Sequence, residues 1–330
     1  MSACSICILN FKGGVGKTTL SVNFAAALAN SQKPNGESYK VLLIDSDAQA
    51  NSSVFVLGEY WKREIFPNPS KSLYGIIDRA RKGNIKKIDE EDIIGEFSHT
   101  GRSPVFSREK RILPDGSSTY VDSEAYWPNL HVLPAHYNLI NLERDIRYAE
   151  DGKIHISAFG APIQYFEILD RLGSFIREYY DFILVDCPPN LYTMSENMLF
   201  FCDNIIIPVI PDWLSTNGIN WLIMQVKYLS EKYGLRKKEI RAIAPTLWNV
   251  RELVFSRHIR ILSRSVDLWK RSENYRDLLG RCEIWTGLQR LSSVNKSIES
   301  LRPITDYHSS ELARVQLELM TRKILEWKEE

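Results

Sequence analysis

Cysteine is scarce. The five in 330 residues, Cys4, Cys7, Cys187, Cys202 and Cys282, are too few and too scattered for a disulfide framework in a chain of this length. Cys4-x-x-Cys7 has the form of half a zinc or redox site, but no second Cys/His pair stands at a matching spacing, so both read as strand residues. Long hydrophobic runs are missing too. A transmembrane helix needs about 18 uninterrupted apolar residues, and the best stretch, 198–210, is broken by Asp203, Asn204 and Pro208. Net charge is nearly absent, with 42 basic against 41 acidic residues. No internal repeat, heptad array or low-complexity tract occurs. The first apolar run begins so early that no room is left for a signal peptide or a leading helix-turn-helix region, and the expectation is a cytoplasmic protein.

What is present is concentrated near the start. The run Ile6-Cys7-Ile8-Leu9 is followed by Phe11-Lys12-Gly13-Gly14-Val15-Gly16-Lys17-Thr18-Thr19 and then by alanine-rich residues 20–28. That order predicts a buried strand, a glycine-rich turn and a helix. Glycines let such a turn take positive φ and gather bare N–H groups around an anion, while the helix aims its positive dipole end at the same point. The expected anion is a nucleotide's phosphate chain. Lys17 would supply a cation to the β and γ oxygens, and the Thr18 hydroxyl would sit on a Mg2+ ion. Gly13, Gly14, Val15, Gly16 and Thr19 complete the candidate binding loop.

The loop departs from G-x-x-x-x-G-K-[ST], because Phe11 stands in the first glycine's place and a second lysine, Lys12, precedes the glycines. Lys-Gly-Gly-Val-Gly-Lys-Thr-Thr resembles the deviant Walker A loop of the ParA/MinD family of P-loop ATPases. The resemblance implies that ATP is bound and that Lys12 reaches the phosphates held by a partner subunit. Two further segments carry it, in the family's order. Val41-Leu42-Leu43-Ile44 reads as a buried strand ending at Asp45-Ser46-Asp47-Ala48-Gln49-Ala50-Asn51, which resembles D-x-D-P-Q-x-N with Ala48 in the proline position. Carboxylates at a core strand's end are costly without work or partners there, and that end is where open α/β sheets bind ligands. The resemblance implies that Asp47 orients the attacking water and Asp45 supports the metal and phosphate region; a helix N-cap is the alternative use. Residues 181–189 form an apolar strand closed by Asp186-Cys187-Pro188-Pro189, similar to the family's φφφD-x-P-P. Asp186 is thereby implied to hold a Mg2+-bound water.

Elsewhere the alternation of strand and helix continues. Residues 59–129 are the least legible, with Trp61, five prolines and basic clusters such as Lys86-Lys87. Helices are expected there around 72–81 and 89–97, then a loop or hairpin about 101–123, either a partner-binding elaboration or a solvated loop. A short strand follows at 130–135 and an amphipathic segment at 138–149. His131 on that strand reads as structural, since no nucleophile or metal ligand accompanies it. Phe166, Leu169, Leu172 and Ile176 predict a helix over 162–178. Strands are expected at 205–211 and 240–245, flanking a helix at 215–230. In the family, the loop after the last of these strands lies against adenine, which makes Asn249 a candidate base contact; an αL turn residue is the plain alternative. The alternation predicts one α/β domain over 1–330, a doubly wound and mostly parallel sheet flanked by helices. An insertion is expected at about 59–129 and a C-terminal helical region at about 250–330.

Charge is uneven although its sum is small. Residues 236–281 hold twelve Lys/Arg against five Asp/Glu, an excess of +7 in a chain whose total is +1. Such asymmetry points to an anionic partner for one face. Arg257, Arg260 and Arg264 fall along one side of a helical candidate and are the DNA-binding candidates, a solvated charged face being the other reading. The whole resembles the ParA branch, which implies a slow, partner-stimulated ATPase (ATP and water to ADP and phosphate) acting as an ATP-dependent homodimer. It further implies non-specific DNA binding, a nucleoid-associated location, an adaptor protein that stimulates hydrolysis, and a role in partition or positioning of DNA or another cargo. A MinD-like membrane-surface ATPase, or an assembly or regulatory ATPase that binds no DNA, is the alternative. The terminal helix expected at 309–327 carries mixed charge, which suits docking better than an anionic bilayer.

Overall fold

The computed structural model describes residues 2–82, 99–112, 118–147, 153–154, 163–164, 167–234, 238–248, 253–306 and 311–330. Along them run β1 (Cys4–Ile8), α1 (Lys17–Ala29), β2 (Val41–Asp45), α2 (Asn51–Leu57) and α3 (Leu73–Arg81). Next come β3 (His99–Ile112), β4 (Ser118–Leu133), α4 (Leu139–Arg147), β5 (Lys153–Ile154), β6 (Ile163–Gln164), α5 (Ile168–Leu172) and α6 (Ser174–Tyr179). Then follow β7 (Phe182–Asp186), α7 (Thr193–Phe201), β8 (Asn204–Val209), α8 (Trp213–Tyr233), β9 (Glu239–Trp248) and α9 (Leu253–Arg271). The last elements are α10 (Arg276–Leu279), β10 (Glu283–Ile284), β11 (Leu288–Gln289), α11 (Ser292–Glu299) and α12 (Glu311–Glu329).

The main sheet runs β10-β9-β8-β1-β7-β2-β4-β3, with β11 also on β9. Every pairing in it is parallel except β3 with β4. Parallel strands need helical crossovers, which cover both faces, so the central strands β1, β2, β7 and β8 are buried along nearly their whole length and mostly apolar. Side-chain alternation then divides each strand between two cores. Ile6, Ile8, Val41, Leu43, Phe182 and Leu184 meet Phe24 and Leu28 of α1 and Leu317 of α12. Cys7, Leu9, Leu42, Ile44, Ile183 and Val185 meet Met198 of α7 and Leu222 of α8. The doubly wound sheet read from the sequence is the sheet found, and it brings the C-terminal ends of β1, β2 and β7 side by side.

Three expectations are corrected. Residues 162–178 do not form one helix: Ile163–Gln164 is a strand paired with Lys153–Ile154, and the helical part is split at Gly173. A Cβ at Gly173 would stand 2.5 Å from the Phe201 ring and 2.6 Å from the Leu169 carbonyl oxygen, so close packing against α7 fixes the break. The strand expected at 130–135 is the end of a longer one, β4, which pairs back along β3 as an extended antiparallel hairpin. Residues 89–97 lie outside the described residues. Finally, the +7 of residues 236–281 is not one surface. Lys238 is buried and donates to the carbonyls of Phe200 and Cys202 at 2.8 and 2.6 Å. Arg241 and Arg281 are tied into ion pairs with Glu239 and Glu330. The outward part of the excess runs along α9, where Arg257, Arg260 and Arg264 are exposed.

Candidate active site

Between β1 and α1 the chain turns through two left-handed glycines, Gly14 at φ 70° and Gly16 at φ 84°. A side chain at either would be strained. Gly16 is the N-cap of α1, no side chain caps that end, and no acid stands in its first turn. The helix's positive end is therefore left for an external anion. Below the loop, Asn10 Nδ2 donates to the Pro208 carbonyl at 2.6 Å while its Oδ1 accepts from Lys12 N at 3.0 Å. Thr246 at the end of β9 donates to the Val15 carbonyl at 2.7 Å. The loop is thus fastened on two sides, and space above Gly13 and Gly14 is open, since a Cβ there would meet nothing within 4 Å.

Lys17 is 7% exposed, and its Nζ donates to the Lys12 carbonyl at 3.0 Å. Burial lowers its pKa, with the Asp186 charge pulling the other way. Thr18 Oγ1 donates to Asp186 Oδ2 at 2.7 Å, and Ser21 Oγ donates to Oδ1 at 3.2 Å. Asp45 lies opposite Asp186 in the β2–β7 register. Its Oδ1 accepts from Asp47 N at 3.1 Å; its Oδ2 accepts from Ser53 N at 2.8 Å and Ser53 Oγ at 2.6 Å. Burial pushes both carboxyls above the ordinary range, and the Asp186 charge adds to the rise at Asp45. Asp47, half-buried, accepts from Gln49 N at 3.0 Å. The geometry brings Lys17, Thr18, Asp45, Asp47 and Asp186 together at one strand end. It gives Asp45 the work of shaping the Asp47 turn and the start of α2.

Lys12 is placed differently. Its Nζ lies 3.0 Å from Asp212 Oδ2 and 2.7 Å from Ser215 Oγ, at the N-terminus of α8. Asp212 is also the N-cap of that helix, accepting from Ser215 N at 2.7 Å. Spacing along the sequence did not expose Asp212, Ser215, Ser21 or Ser53 as parts of the site. Only Asp212 carried a local signal, an acid directly before a helix. Asn249 lies outside the described residues. Its neighbour Trp248 stacks on Phe255 with ring centroids 4.2 Å apart. Arg257, Arg260 and Arg264 belong to α9 and are not drawn into the phosphate loop.

The minor readings resolve on geometry. Cys4 and Cys7 feed opposite cores and cannot share a ligand. All five cysteines are buried and free. His131 Nδ1 is 2.7 Å from the Tyr180 hydroxyl, and burial lowers its pKa to about 4, so the ring is a neutral structural group. Among the described residues no cluster of three or more His, Cys, Asp or Glu side chains could hold a metal, and no helix is long and apolar enough to cross a membrane.

Comparison with known proteins gives the family. The AAA domain family model AAA_31 matches residues 3–241. The chain is 26% identical over 226 residues to the sporulation initiation inhibitor protein Soj of Bacillus subtilis, covering 68% of this chain and 66% of that protein. It is 26% identical over 217 residues to the chromosome partitioning protein ParA of Myxococcus xanthus, covering 66% of this chain and 56% of that one. The chain thus spans less than two thirds of the length of either. In fold it is similar to a variant of Cyanothece McdA in complex with ATP, with a TM-score of 0.65 at 17% identity over 98% of this chain and 97% of that one.

Proposed function

Since the chain belongs to this AAA domain family, on its ParA-type P-loop ATPase branch, we propose that it is an ATP-driven switch that positions DNA or another cargo. The observation that carries the reading is the Thr18–Asp186 hydrogen bond of 2.7 Å beside an uncapped helix N-terminus. A hydroxyl and a carboxylate at that point are hard oxygen donors, which fit Mg2+, an ion that takes few protein ligands and fills its shell with water and phosphate. Thr18 would ligate it directly, with Asp186 behind. When bound, the ion would neutralise charge on the β and γ phosphates.

The chain's own residues do the rest. Backbone N–H groups of residues 13–19 would cradle the phosphates, which replace the Lys12 carbonyl as the partner of Lys17 Nζ. Asp47 would orient the attacking water, and Asp45 would hold Asp47 in place through its backbone N–H. Catalysis of this kind is positioning and charge neutralisation. Lys12 would leave Asp212 and cross to the phosphates of a second subunit, which makes the dimer conditional on ATP. The dimer would bind DNA through α9 without reading sequence, because phosphate contacts carry no base information. An adaptor would stimulate slow hydrolysis and so release it. The functions for which the similar proteins are named, chromosome partitioning among them, support the cargo class. Replacing Asp47→Ala tests the mechanism: hydrolysis should fall strongly while an ATP-bound dimer accumulates in sedimentation. Normal turnover would move the water-orienting role to another residue.

A further inference from the structure

Trp61 stands near the start of the stretch 59–129, and its indole is joined by hydrogen bonds to the catalytic end of the sheet. It opens a π-helical turn, Trp61–Ile65, and packs half-buried against both cores. Such turns recur at functional sites. Trp61 Nε1 donates to the Ala135 carbonyl at 3.1 Å. Ala135 lies just past β4, whose ladder with β2 ends at the Ile44–Leu133 pair, before Pro134, which has no N–H to offer. The Ala135 N–H turns to Ser53 Oγ of α2 at 2.8 Å. Ser53 Oγ donates to Asp45 Oδ2 at 2.6 Å, beside the 2.8 Å bond from Ser53 N, and Asp45 Oδ1 accepts from Asp47 N at 3.1 Å. Ala135, Ser53 and Asp45 are fully buried.

We propose that Ser53 and Trp61 are positioning residues for hydrolysis: one tether runs from the Trp61 indole through Ala135 and Ser53 to Asp45, and sets the place of the Asp47 backbone. The proposal rests on the reading of Asp47 as the residue that orients water. The Asp47 carboxylate accepts from Gln49 N within its own turn, so its aim follows the backbone of residues 45–50. That backbone is strained. Ala50 takes φ 55°, left-handed, which a residue with a Cβ rarely adopts, and such a conformation persists only where surrounding bonds over-determine it. Asp45 supplies those bonds on one side, since one of its oxygens holds Asp47 N and the other is fixed twice by Ser53. Loss of a donor on Oδ2 would free the carboxylate to rotate and carry Oδ1 away from Asp47 N. A hydroxyl both accepts and donates, so Ser53 makes the orientation of Asp45 depend on where Ala135 stands. Trp61 holds Ala135 from the far side. A plain cap for the end of β4 would use the Ser53–Ala135 bond alone; the bonds that continue to the N–H of Asp47 are what positioning needs.

The test is kcat for ATP, ATP affinity and Tm, measured separately for parent, Ser53→Ala, Ser53→Thr, Trp61→Phe and the double variant Ser53→Ala/Trp61→Phe. Misplacing a reacting group by 1 Å costs about 100-fold in rate, and loss of one bond of the tether should cost roughly tenfold in Ser53→Ala and about threefold in Trp61→Phe. ATP affinity should stay within about twofold of the parent, since the bonds of both side chains run to the ends of β2 and β4 rather than to the phosphate loop. Ser53→Thr, which keeps the hydroxyl, should restore kcat. The double variant should be no slower than Ser53→Ala, because a tether already cut transmits nothing, whereas independent roles would multiply to about 30-fold. A lower Tm with kcat unchanged, multiplying effects, or kcat and affinity lost in parallel would overturn the proposal and leave Ser53 a strand cap. Trp61 lies at the half-buried end and Phe fills its place, so an unchanged kcat in Trp61→Phe decides against the tether even where Ser53→Ala does not fold. Normal turnover in Asp47→Ala would instead overturn the water-orienting reading on which the proposal stands.

Discussion

Lys12 and Lys17 stand on one loop under opposite demands. Lys17 is enclosed and reaches only groups of its own subunit, whereas Lys12 is about half exposed and held by a surface acid. An ion pair of that exposure is worth about 0–1 kcal/mol, so phosphates can compete for Lys12. Lys12→Ala should therefore keep ATP binding and lose ATP-dependent dimerisation or hydrolysis, read by sedimentation and phosphate release. A variant that dimerises and hydrolyses like the parent would remove the crossing role. Asp212→Ala separates holding from capping: loss of the N-cap bond to Ser215 should cost about 1 kcal/mol of stability, measured by urea denaturation, whether or not Lys12 is used. At this scale the sequence was legible where residues are near neighbours. Gly-x-Gly-Lys-Thr fixes its own geometry, and Asp186 announces itself at a strand end. Ser21 on Asp186 and Lys12 on Asp212 join positions 165 and 200 apart, and no local pattern encodes such pairs.

Helices α9 and α12 show how one amphipathic pattern serves two ends. In α12, Ala313, Leu317, Met320 and Ile324 are spent in the core, while Leu312, Val315 and Leu319 stay exposed on another side. In α9, Leu262 and Val266 are buried while Arg257, Arg260 and Arg264 point outward. Replacing those three arginines together with Glu should weaken binding to all duplexes alike and flatten its dependence on salt, since fewer counterions are released. ATP affinity should not change. Binding to two unrelated duplexes across a salt series, with and without ATP analogue, measures this; equal binding by the variant would exclude α9. Element identity was legible wherever a period was unbroken over four or more residues. It failed at 162–178, where helical spacing continued across a glycine that packing against Phe201 requires, and the hairpin expected about 101–123 was legible only in part, since its pairing runs on into the strand expected at 130–135.

Across the whole molecule, two acids raised by burial lie beneath the phosphate loop. Asp45 and Asp186 have folded pKa values above their unfolded ones. The native state then holds more protons between the two, and stability falls as pH rises from about 4, the ordinary carboxylate value, towards neutrality. Asp45→Asn should make that fall shallower, read as Tm at pH 5 and pH 7; an unchanged difference would place the acids' protons elsewhere. The doubly wound architecture was readable because β1, β2 and β7 are mostly apolar and each closes on chemistry. The distribution of the basic excess was not, because Lys238 is buried against the end of α7 and Arg241 against α12 and the C-terminus, distant segments that a linear charge count does not see.

The most direct test is equilibrium binding of labelled ATP with Mg2+ to the parent and to Lys17→Ala, with folding of both checked by circular dichroism. Removing one member of a buried, charge-assisted contact costs about 2–5 kcal/mol, so the variant should bind roughly 30-fold more weakly or worse. Saturable binding by the parent and its loss in the variant is the expected result. Unchanged affinity in a folded Lys17→Ala would contradict the assignment of residues 11–19 as the nucleotide loop, and with it the ATP-driven switch.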